Sequence, residues 1–340
     1  MNHQVQIDAV VSGLREVFQR ACSAGETTFQ VDTNERGRVT VTISLKRDRL
    51  AFSVMDPHGK SLAASYAAHP VGQWLVVLNE VRKYRPRGTP PPGTNCNFGC
   101  SITPDQSRSP LWITNRSMTE VEGLEVAIVN QGFPAVDEPT ALLFDYHGGQ
   151  FVHRENRLTR RDLAAFVTIA RSNPGLLVYF NFLEKAGMTV GEHLHGQLKI
   201  QLEPLPIQRA YAAMAPDPQD CAVIRGHPAL AVGVDSSSER LWRMIDRLQR
   251  ANQAFNLALV QNQAFVAART KFISSAFPGV GMAALETLAS TLIVEDRHLV
   301  QEHGVYVWED PRLLRKTAEK IDRAMGDVTL PEEEIRKFMD

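Results

Sequence analysis

A polar stretch in the middle of the chain carries the side chains best suited to chemistry. It reads Gly-Glu-His-Leu-His-Gly-Gln-Leu-Lys over residues 191–199. Side chains alternate between the two faces of a β-strand. If this stretch is a strand, one face carries His193, His195, Gln197 and Lys199. Polar groups on an otherwise apolar strand are costly to bury unless they line a site, and the alternative is a solvated face with two chance histidines.

Several kinds of chemistry are open to this set. Imidazoles two residues apart can bind a metal ion, and a neutral imidazole near pH 7 is also a nucleophile and a proton carrier. The carboxamide of Gln197 does not titrate, so it acts only through hydrogen bonds. Spacing alone does not separate a metal site, a nucleophilic site and a plain surface.

The predicted elements around this stretch make it one strand of a sheet. Alternating or continuous apolar runs predict strands at 39–45, 50–55, 124–130, 140–146, 176–182 and 190–202, an apolar segment at 74–81 and a hairpin over 256–268. Helical spacing predicts helices over 1–25, 159–173, 241–254, 282–293 and 311–325. Thr159 is the expected N-cap of the second helix, and Ser236-x-x-Glu239 is the expected capping box of the third. The Pro-rich passage 203–228 is interpreted as the crossing between domains.

Composition and charge restrict the class of protein. With 340 residues the chain is long enough for two domains of ordinary size. Its residues are 44% hydrophobic and 22% charged, which is typical of a globular protein, and 37 Lys+Arg against 38 Asp+Glu leave no excess for a general nucleic-acid binder. No apolar run approaches the roughly 20 residues that span a bilayer, and four cysteines are too few for a disulfide scaffold. We therefore expect a cytoplasmic protein with free thiols that binds neither nucleic acid nor membrane.

The order of motifs around the polar stretch resembles the nucleotidyltransferase branch of the histidine-triad superfamily. Tyr179-Phe180-Asn181 and Ala186-Gly187 precede the His-x-His-x-Gln motif, and 202–207 follows it. The segments 126–144 and 254–269 are similar to the entry hairpin of the family and to a second-domain hairpin of the dinucleoside polyphosphate phosphorylases. The branch also holds galactose-1-phosphate uridylyltransferases and nucleoside-diphosphate-sugar phosphorylases. The likeness covers roughly residues 111–295.

This resemblance implies an α+β fold with a histidine-triad-like antiparallel sheet, flanking helices and two related halves. The predicted domains are an N-terminal helix and hairpin elaboration over residues 1–70, a catalytic domain over 71–205, and a degenerate second domain with the C-terminal helix over 206–340. The relatives that the resemblance implies include both monomers and dimers, so a homodimer is one open assembly.

The resemblance also assigns roles within the motif. His195 would be the nucleophile that attacks an α-phosphorus, Gln197 its partner on the phosphate side, and His193 a positioning residue. A third histidine in place of Gln197 could pass a proton to a poor leaving group, whereas an amide cannot. Leaving groups and acceptors that are already anionic, such as phosphate and sugar phosphates, are therefore favoured over water.

The resulting prediction is a nucleotidyltransferase of phosphorylase type. It would cleave a nucleoside diphosphate-sugar or a dinucleoside polyphosphate through a covalent nucleotidyl-histidine and pass the nucleotide to phosphate or a sugar phosphate. A hydrolase with the same intermediate is the alternative enzyme. A nucleotide-binding protein without turnover is the alternative from another class.

Further residues are candidates for substrate binding. Asn181 would bind a ribose or phosphate by analogy with the matching Asn of the family, although a structural turn residue explains it as well. Lys199 continues the site face. The basic run 82–87 could hold a polyphosphate or a sugar phosphate, although such a run is usually a solvated surface. The resemblance would place a base-binding loop around Phe98, for which a core Phe is the alternative. The remaining predicted binding residues are Lys83, Arg85, Asn97 and Phe98.

No cofactor is expected to be required. Cys96 and Cys100 have a spacing that zinc sites allow, and some uridylyltransferases bind a structural zinc through cysteines and the first motif histidine, here His193. A single pair lacks the second pair of a strong zinc signature, so two buried thiols are the favoured interpretation and no metal ligand is assigned.

Overall fold

The computed structural model describes the chain in segments. They are residues 26–33, 37–46, 49–62, 66–84, 116–130, 140–147, 150–152, 154–172, 175–188, 191, 193–201, 203–217, 220–295 and 311–339. The predicted N-terminal helix lies outside these residues. The strands are β1 Glu26–Thr33, β2 Gly37–Lys46, β3 Arg49–Met55, β4 Ser61–Leu62, β5 Tyr66–Val71, β6 Trp74–Asn79, β7 Arg116–Val121, β8 Leu124–Asn130, β9 Thr140–His147, β10 Gln150–Phe151, β11 Leu176–Phe182, β12 His195–Ile200, β13 Ala222–Val223, β14 Val232–Asp235, β15 Phe255–Val260, β16 Gln263–Ala268 and β17 Thr291–Val294.

Helices flank these strands. They are α1 Arg160–Ser172, α2 Pro206–Ala213, α3 Glu239–Arg250, α4 Ala284–Thr287, α5 Pro311–Val328 and α6 Glu332–Ile335, with 3-10 turns at Glu80–Tyr84, Glu184–Ala186 and Arg336–Phe338. Within the described residues, no helix has both the length and the apolar character that a bilayer crossing needs.

A ten-stranded antiparallel sheet forms the centre of the molecule. Its strands follow the order β13-β14-β16-β15-β11-β12-β9-β8-β7, with β10 paired to β9. Each half runs as strand, helix and two further strands: β9, α1, β11 and β12 in one, and β14, α3, β15 and β16 in the other. The halves meet where β11 pairs with β15, and the strand order is mirrored about that pair. The predicted α+β class with antiparallel sheet and flanking helices is confirmed.

The N-terminus of α1 forms where the sequence predicts it. The Asp162 carboxylate accepts hydrogen bonds from the Thr159 backbone N–H and hydroxyl, both at 2.7 Å. The Asp162 N–H in turn donates to the Thr159 hydroxyl at 3.2 Å. This reciprocal cap satisfies N–H groups that have no partner within the helix. It fixes the helix that covers one face of the central sheet.

The two faces of the central sheet have separate apolar cores. On one face Val178, Phe180 and Leu198 pack with residues of α1 and α3. On the other, Leu177 and Tyr179 pack with residues of α2 and α4. A strand buried on both faces needs apolar side chains at successive positions, which is why 176–182 is an almost continuous apolar run. The motif strand β12 lies beside this buried strand.

Two smaller sheets accompany the central one. One has the order β1-β2-β3-β4, and the other has the order β17-β6-β5. In the second, β17 runs parallel to β6, with Thr291 opposite Leu75 and Val294 opposite Leu78. The prediction of one helix over 282–293 is therefore wrong. The segment forms only the short helix α4 and then a strand, because Thr291 and Ile293 suit a pleated surface and β6 provides the hydrogen-bonding edge.

The passage 203–228 contains α2 and β13, and its interpretation as the crossing between domains stays a prediction. Two further predictions need correction. The motif strand begins at His195 rather than near residue 190, so His193 precedes it. The N-cap of α3 is Ser238, whose side chain accepts the Arg240 N–H, whereas the Ser236 N–H is bonded to Asn262 O at 2.8 Å. Ser236 is thus occupied by the turn between β15 and β16. The predictions for the strands at 124–130 and 140–146, the hairpin and the C-terminal helix are confirmed.

Candidate active site

His195 begins the strand β12, between β9 and β11. It lies opposite Phe144 of β9 and is 5% exposed. Its backbone N–H donates to Asn156 Oδ1 at 3.1 Å. The strand β9 and a loop side chain therefore hold the residue in the sheet.

The ring of His195 has a defined protonation state. Its Nδ1 lies 3.3 Å from the carbonyl oxygen of His193, so Nδ1 carries the proton and donates it, and Nε2 carries the lone pair. Burial lowers the pKa of His195 from 6.5 to about 4, while the hydrogen bond to the His193 carbonyl oxygen raises it in part and the charge of the His193 ring lowers it slightly. The imidazole is therefore neutral at physiological pH, which is the form that can attack an electrophile.

His193 is buried just before the strand. Its Nδ1 lies 2.8 Å from the carbonyl oxygen of Val152, and the residue is 1% exposed. The sequence interpretation placed it on the strand face. Since the strand starts two residues later, the structure instead places it in the segment that leads into β12. Its backbone carbonyl orients the ring of His195, which fits the positioning role that the resemblance implies.

The rest of the motif strand continues across the sheet. Gln197 is partly buried and lies between Leu142 of β9 and Tyr179 of β11. Lys199 is buried and lies between Thr140 and Leu177. Cross-strand partners share a face, so His195, Gln197, Lys199 and Tyr179 belong to the face opposite α1.

A glycine between the two motif positions allows α1 to approach. A Cβ on Gly196 would lie 2.7 Å from the ring of Phe166 on α1. That distance is shorter than van der Waals contact, so Gly is required for this packing. The helix thereby supports the strand directly behind His195.

Asn181 connects the site strand to the second half. Its Oδ1 accepts hydrogen bonds from Asn256 Nδ2 at 2.7 Å and from the Ala284 N–H at 3.1 Å. Asn256 is itself held by the guanidinium of Arg269 and by the hydroxyl of Thr287. The carboxamide oxygen of Asn181 is therefore used by this buried network, and its role toward a substrate stays a prediction.

A buried polar cluster of Tyr179, Glu286 and Arg82 lies beside Gln197. The hydroxyl of Tyr179 is buried and has no hydrogen-bond partner within the described residues. Burial raises the pKa of Tyr179, and the carboxylate of Glu286 raises it further while Arg82 opposes the shift. Burial raises the pKa of Glu286 to about 7, although the N–H of Ala283 and the nearby guanidinium groups stabilise its charged form. The Nε of Arg82 lies 3.2 Å from Glu295 Oε1.

The other predicted binding residues belong to the segments before β7. Of Lys83 the backbone is described, within the 3-10 turn Glu80–Tyr84, but the side chain is not. Arg85, Asn97, Phe98, Cys96 and Cys100 lie outside the described residues. The zinc and base-binding expectations therefore stay predictions. In the part of the chain that the structure describes, no group of three or more His, Cys, Asp or Glu side chains is placed to hold a metal ion.

The sequence interpretation missed three residues of this region, Asn156, Tyr179 and Glu286. The alternation of β11 could have placed Tyr179 on the same face as Asn181. Asn156 and Glu286 had no such signal, because one is a lone polar residue in a loop and the other belonged to a segment predicted as an ordinary helix. Their places follow from contacts between distant parts of the chain.

Comparison with known proteins gives structural relatives. No protein-family profile matches this chain, and no curated protein sequence does. Yeast Ap4A phosphorylase Apa2 matches in three crystal structures. The structure in complex with Ap4A has a TM-score of 0.53 and 15% identity, over 79% of this chain and 90% of that one.

The other two crystal structures match over more of the chain. A second structure of Apa2 has a TM-score of 0.54 and 14% identity over 95% and 94% of the two chains. The structure in complex with AMP has a TM-score of 0.53 and 13% identity over 95% and 97%. The chain thus shares the fold of yeast Ap4A phosphorylase Apa2, and the resemblance that its motifs indicate is confirmed at the level of the fold.

Proposed function

We propose that this chain is a nucleotidyltransferase of phosphorylase type that works through a covalent nucleotidyl-His195. Its donor substrate is a nucleoside diphosphate-sugar or a dinucleoside polyphosphate, and its acceptor is phosphate or a sugar phosphate. The observation that carries the proposal is the state of His195: a neutral ring whose Nδ1 proton is engaged by the His193 carbonyl oxygen, with the lone pair on Nε2. The shared fold with an enzyme whose structures hold Ap4A and AMP supports the substrate class.

The two chemical steps balance without a redox partner. The lone pair of His195 Nε2 attacks the α-phosphorus, a P–N bond forms, and the P–O bond to the leaving phosphate or sugar phosphate breaks. An oxygen of the acceptor then attacks the same phosphorus, and the P–N bond breaks to restore the neutral ring. Developing positive charge on the imidazole is stabilised by the Nδ1 hydrogen bond to the His193 carbonyl oxygen.

The amide of Gln197 favours anionic leaving groups and acceptors. It can donate a hydrogen bond to a phosphoryl oxygen, but it cannot protonate a poor leaving group. Phosphate and sugar phosphates leave and attack as anions and need no such proton. Phosphorolysis or nucleotidyl transfer is therefore favoured over hydrolysis.

A mass measurement on the intact protein tests the covalent step. Brief incubation with nucleotide sugars and with dinucleoside polyphosphates is expected to add one nucleoside monophosphate to the protein, and His195→Ala is expected to abolish the adduct. The matched control is His227→Gln. His227 is also buried, and its Nδ1 and Nε2 each lie 3.1 Å from a partner outside the motif, Ala229 O and Ser290 Oγ, so the adduct should persist in this variant.

The same assay separates the competing functions. Turnover that requires added phosphate supports the phosphorylase, whereas equal turnover without phosphate identifies a hydrolase. Bound nucleotide with neither adduct nor product identifies a binding protein and overturns the proposal.

A further inference from the structure

The pairing between β11 and β12 does not reach His195. β11 and β12 pair from Leu176–Ile200 to Tyr179–Gln197. The same register would next place Phe180 opposite Gly196 and then Asn181 opposite His195. β11 itself does not end there, because it continues through Phe182 and pairs with Phe255 on its other side. The ladder is thus interrupted on one edge only, at His195.

The side chain of Asn156 fills the interruption. Its Nδ2 donates to the carbonyl oxygen of Asn181 at 3.1 Å, and its Oδ1 accepts the backbone N–H of His195, also at 3.1 Å. One carboxamide therefore replaces the direct N–H···O bond that the two strands would otherwise share. Asn156 is 1% exposed, so this bridge lies within the protein interior.

The segment that carries Asn156 holds both histidines. The carbonyl oxygen of Val152 engages the ring of His193, and the N–H of Asn156 donates to Gly191 O at 2.9 Å, just before the motif. The segment is itself fixed by Gln249 of α3, whose side chain accepts the Leu158 N–H at 2.7 Å and donates to the Leu158 carbonyl oxygen at 2.9 Å. Hydrogen bonds through the segment 156–158 therefore connect α3 to the backbone of His195.

We propose that Asn156 is the positioning residue that separates β11 from β12 at the nucleophile and sets the place of the His195 ring. Strands in a regular ladder lie about 4.8 Å apart, which leaves no room between them for a side chain. A carboxamide inserted between Asn181 and His195 widens the sheet at this one point, so that the ring of His195 lies at the edge of an opening. The proposal rests on the proposed function, in which Nε2 of that ring must reach a phosphorus atom in line with its leaving group.

Two variants and one control test this role. Asn156→Ala removes both hydrogen bonds, and Asn156→Asp keeps the size and the acceptor for His195 but removes the donor to Asn181. The control is Gln253→Ala, since Gln253 Nε2 also joins two backbone carbonyl oxygens, those of Ala254 and Arg269, but away from the motif. Each variant is first checked for a native circular dichroism spectrum, and Asn156→Asp carries the test if Asn156→Ala does not fold.

The expected result separates positioning from mere stability. The first-order rate of nucleotidyl-enzyme formation, measured by quenched-flow mass analysis, should fall at least tenfold in both Asn156 variants, while the substrate concentration at half-saturation changes less than threefold. Gln253→Ala should keep the wild-type rate. A folded Asn156 variant with the wild-type rate would overturn the proposal.

A second readout does not need catalysis. The ¹⁵N chemical shifts of the His195 ring report the tautomer and its hydrogen bonds. We expect Asn156→Ala to shift these signals and Gln253→Ala to leave them unchanged. If the wild-type protein forms no adduct, the proposed function is wrong, but the positioning role is still tested. Unchanged His195 signals in the Asn156 variants would refute that role.

Discussion

The two hairpins on either side of the sheet centre share one architecture but differ in their pairing. β15 and β16 pair without interruption from Phe255–Ala268 to Val260–Gln263, and their connection is the short turn Gln261-Asn262. β11 and β12 pair only as far as Tyr179–Gln197, and residues 183–194 connect them. The long connection carries His193 and leads directly into His195, and the side chain of Asn156 makes the hydrogen bonds that the two strands no longer share.

The two hairpins also differ in the polarity of the side chains that face α2 and α4. On β16 the positions that face α2 and α4 carry Phe265 and Ala267, which belong to the apolar core. On β12 the corresponding face carries His195, Gln197 and Lys199. A site can thus be made from a packing strand by exchanging apolar side chains for polar ones, provided that nearby groups satisfy them. Three substitutions test this difference between the two hairpins.

The largest expected effect comes from Glu286, which lies close to Tyr179 of the first hairpin. Its pKa is raised in the folded protein from 4.5 to about 7. The folded state therefore retains a proton that the unfolded chain loses above about pH 4.5, so stability falls as the pH rises to 7. Compared with Glu286→Gln, the wild type should lose up to about 3 kcal/mol of unfolding free energy between pH 4.5 and 7.

Urea denaturation of both proteins at several pH values measures this difference. The subtraction also removes the opposite contribution of His195, whose lowered pKa makes stability rise with pH between about 4 and 6.5. A difference between the two proteins that does not change with pH would show that Glu286 ionises normally.

A methyl group behind His195 should have an intermediate effect. Gly196→Ala places a Cβ 2.7 Å from the ring of Phe166, so the strand or the helix must shift. We expect a loss of about 1–3 kcal/mol in the free energy of unfolding, as for other overpacked cores. Gly326→Ala is the control, because its Cβ meets no atom within 4 Å inside α5 and better helix propensity should stabilise the protein by up to about 1 kcal/mol. Equal effects of the two variants would contradict the close approach of α1.

The smallest effect is expected from Tyr179→Phe. The tyrosine hydroxyl is buried without a hydrogen-bond partner in the described structure, so its removal relieves a desolvation penalty. The variant should be more stable than the wild type by about 1 kcal/mol in thermal or urea unfolding. A loss of stability instead would mean that the hydroxyl is already satisfied in the folded protein.

Local rules account for the parts of this fold that the sequence predicts. The Thr159 cap and the hairpin at 256–268 depend on residues close together in the chain, and both form as predicted. The helix expected over 282–293 fails because its second half pairs with β6, more than 200 residues earlier. Apolar spacing cannot reveal a distant parallel partner.

The candidate site shows the same division. The motif predicts His195 and Gln197 as site residues, and the resemblance predicts a fold that the structure confirms. Asn156 could not be recognised, because its role depends on where two strands stop pairing and on a loop that returns to that point. Alternation also misplaced His193, since the strand begins later than the motif does.

The two hydrogen bonds between Gln249 and the Leu158 peptide group have a consequence for how this protein can be divided. Gln249 belongs to α3, in the half that carries no motif histidine, yet it secures the loop that anchors both histidines. That half therefore stabilises the other. A fragment that ended before α3 would keep every residue of the motif but would lose the two hydrogen bonds that fix the loop next to His193 and His195.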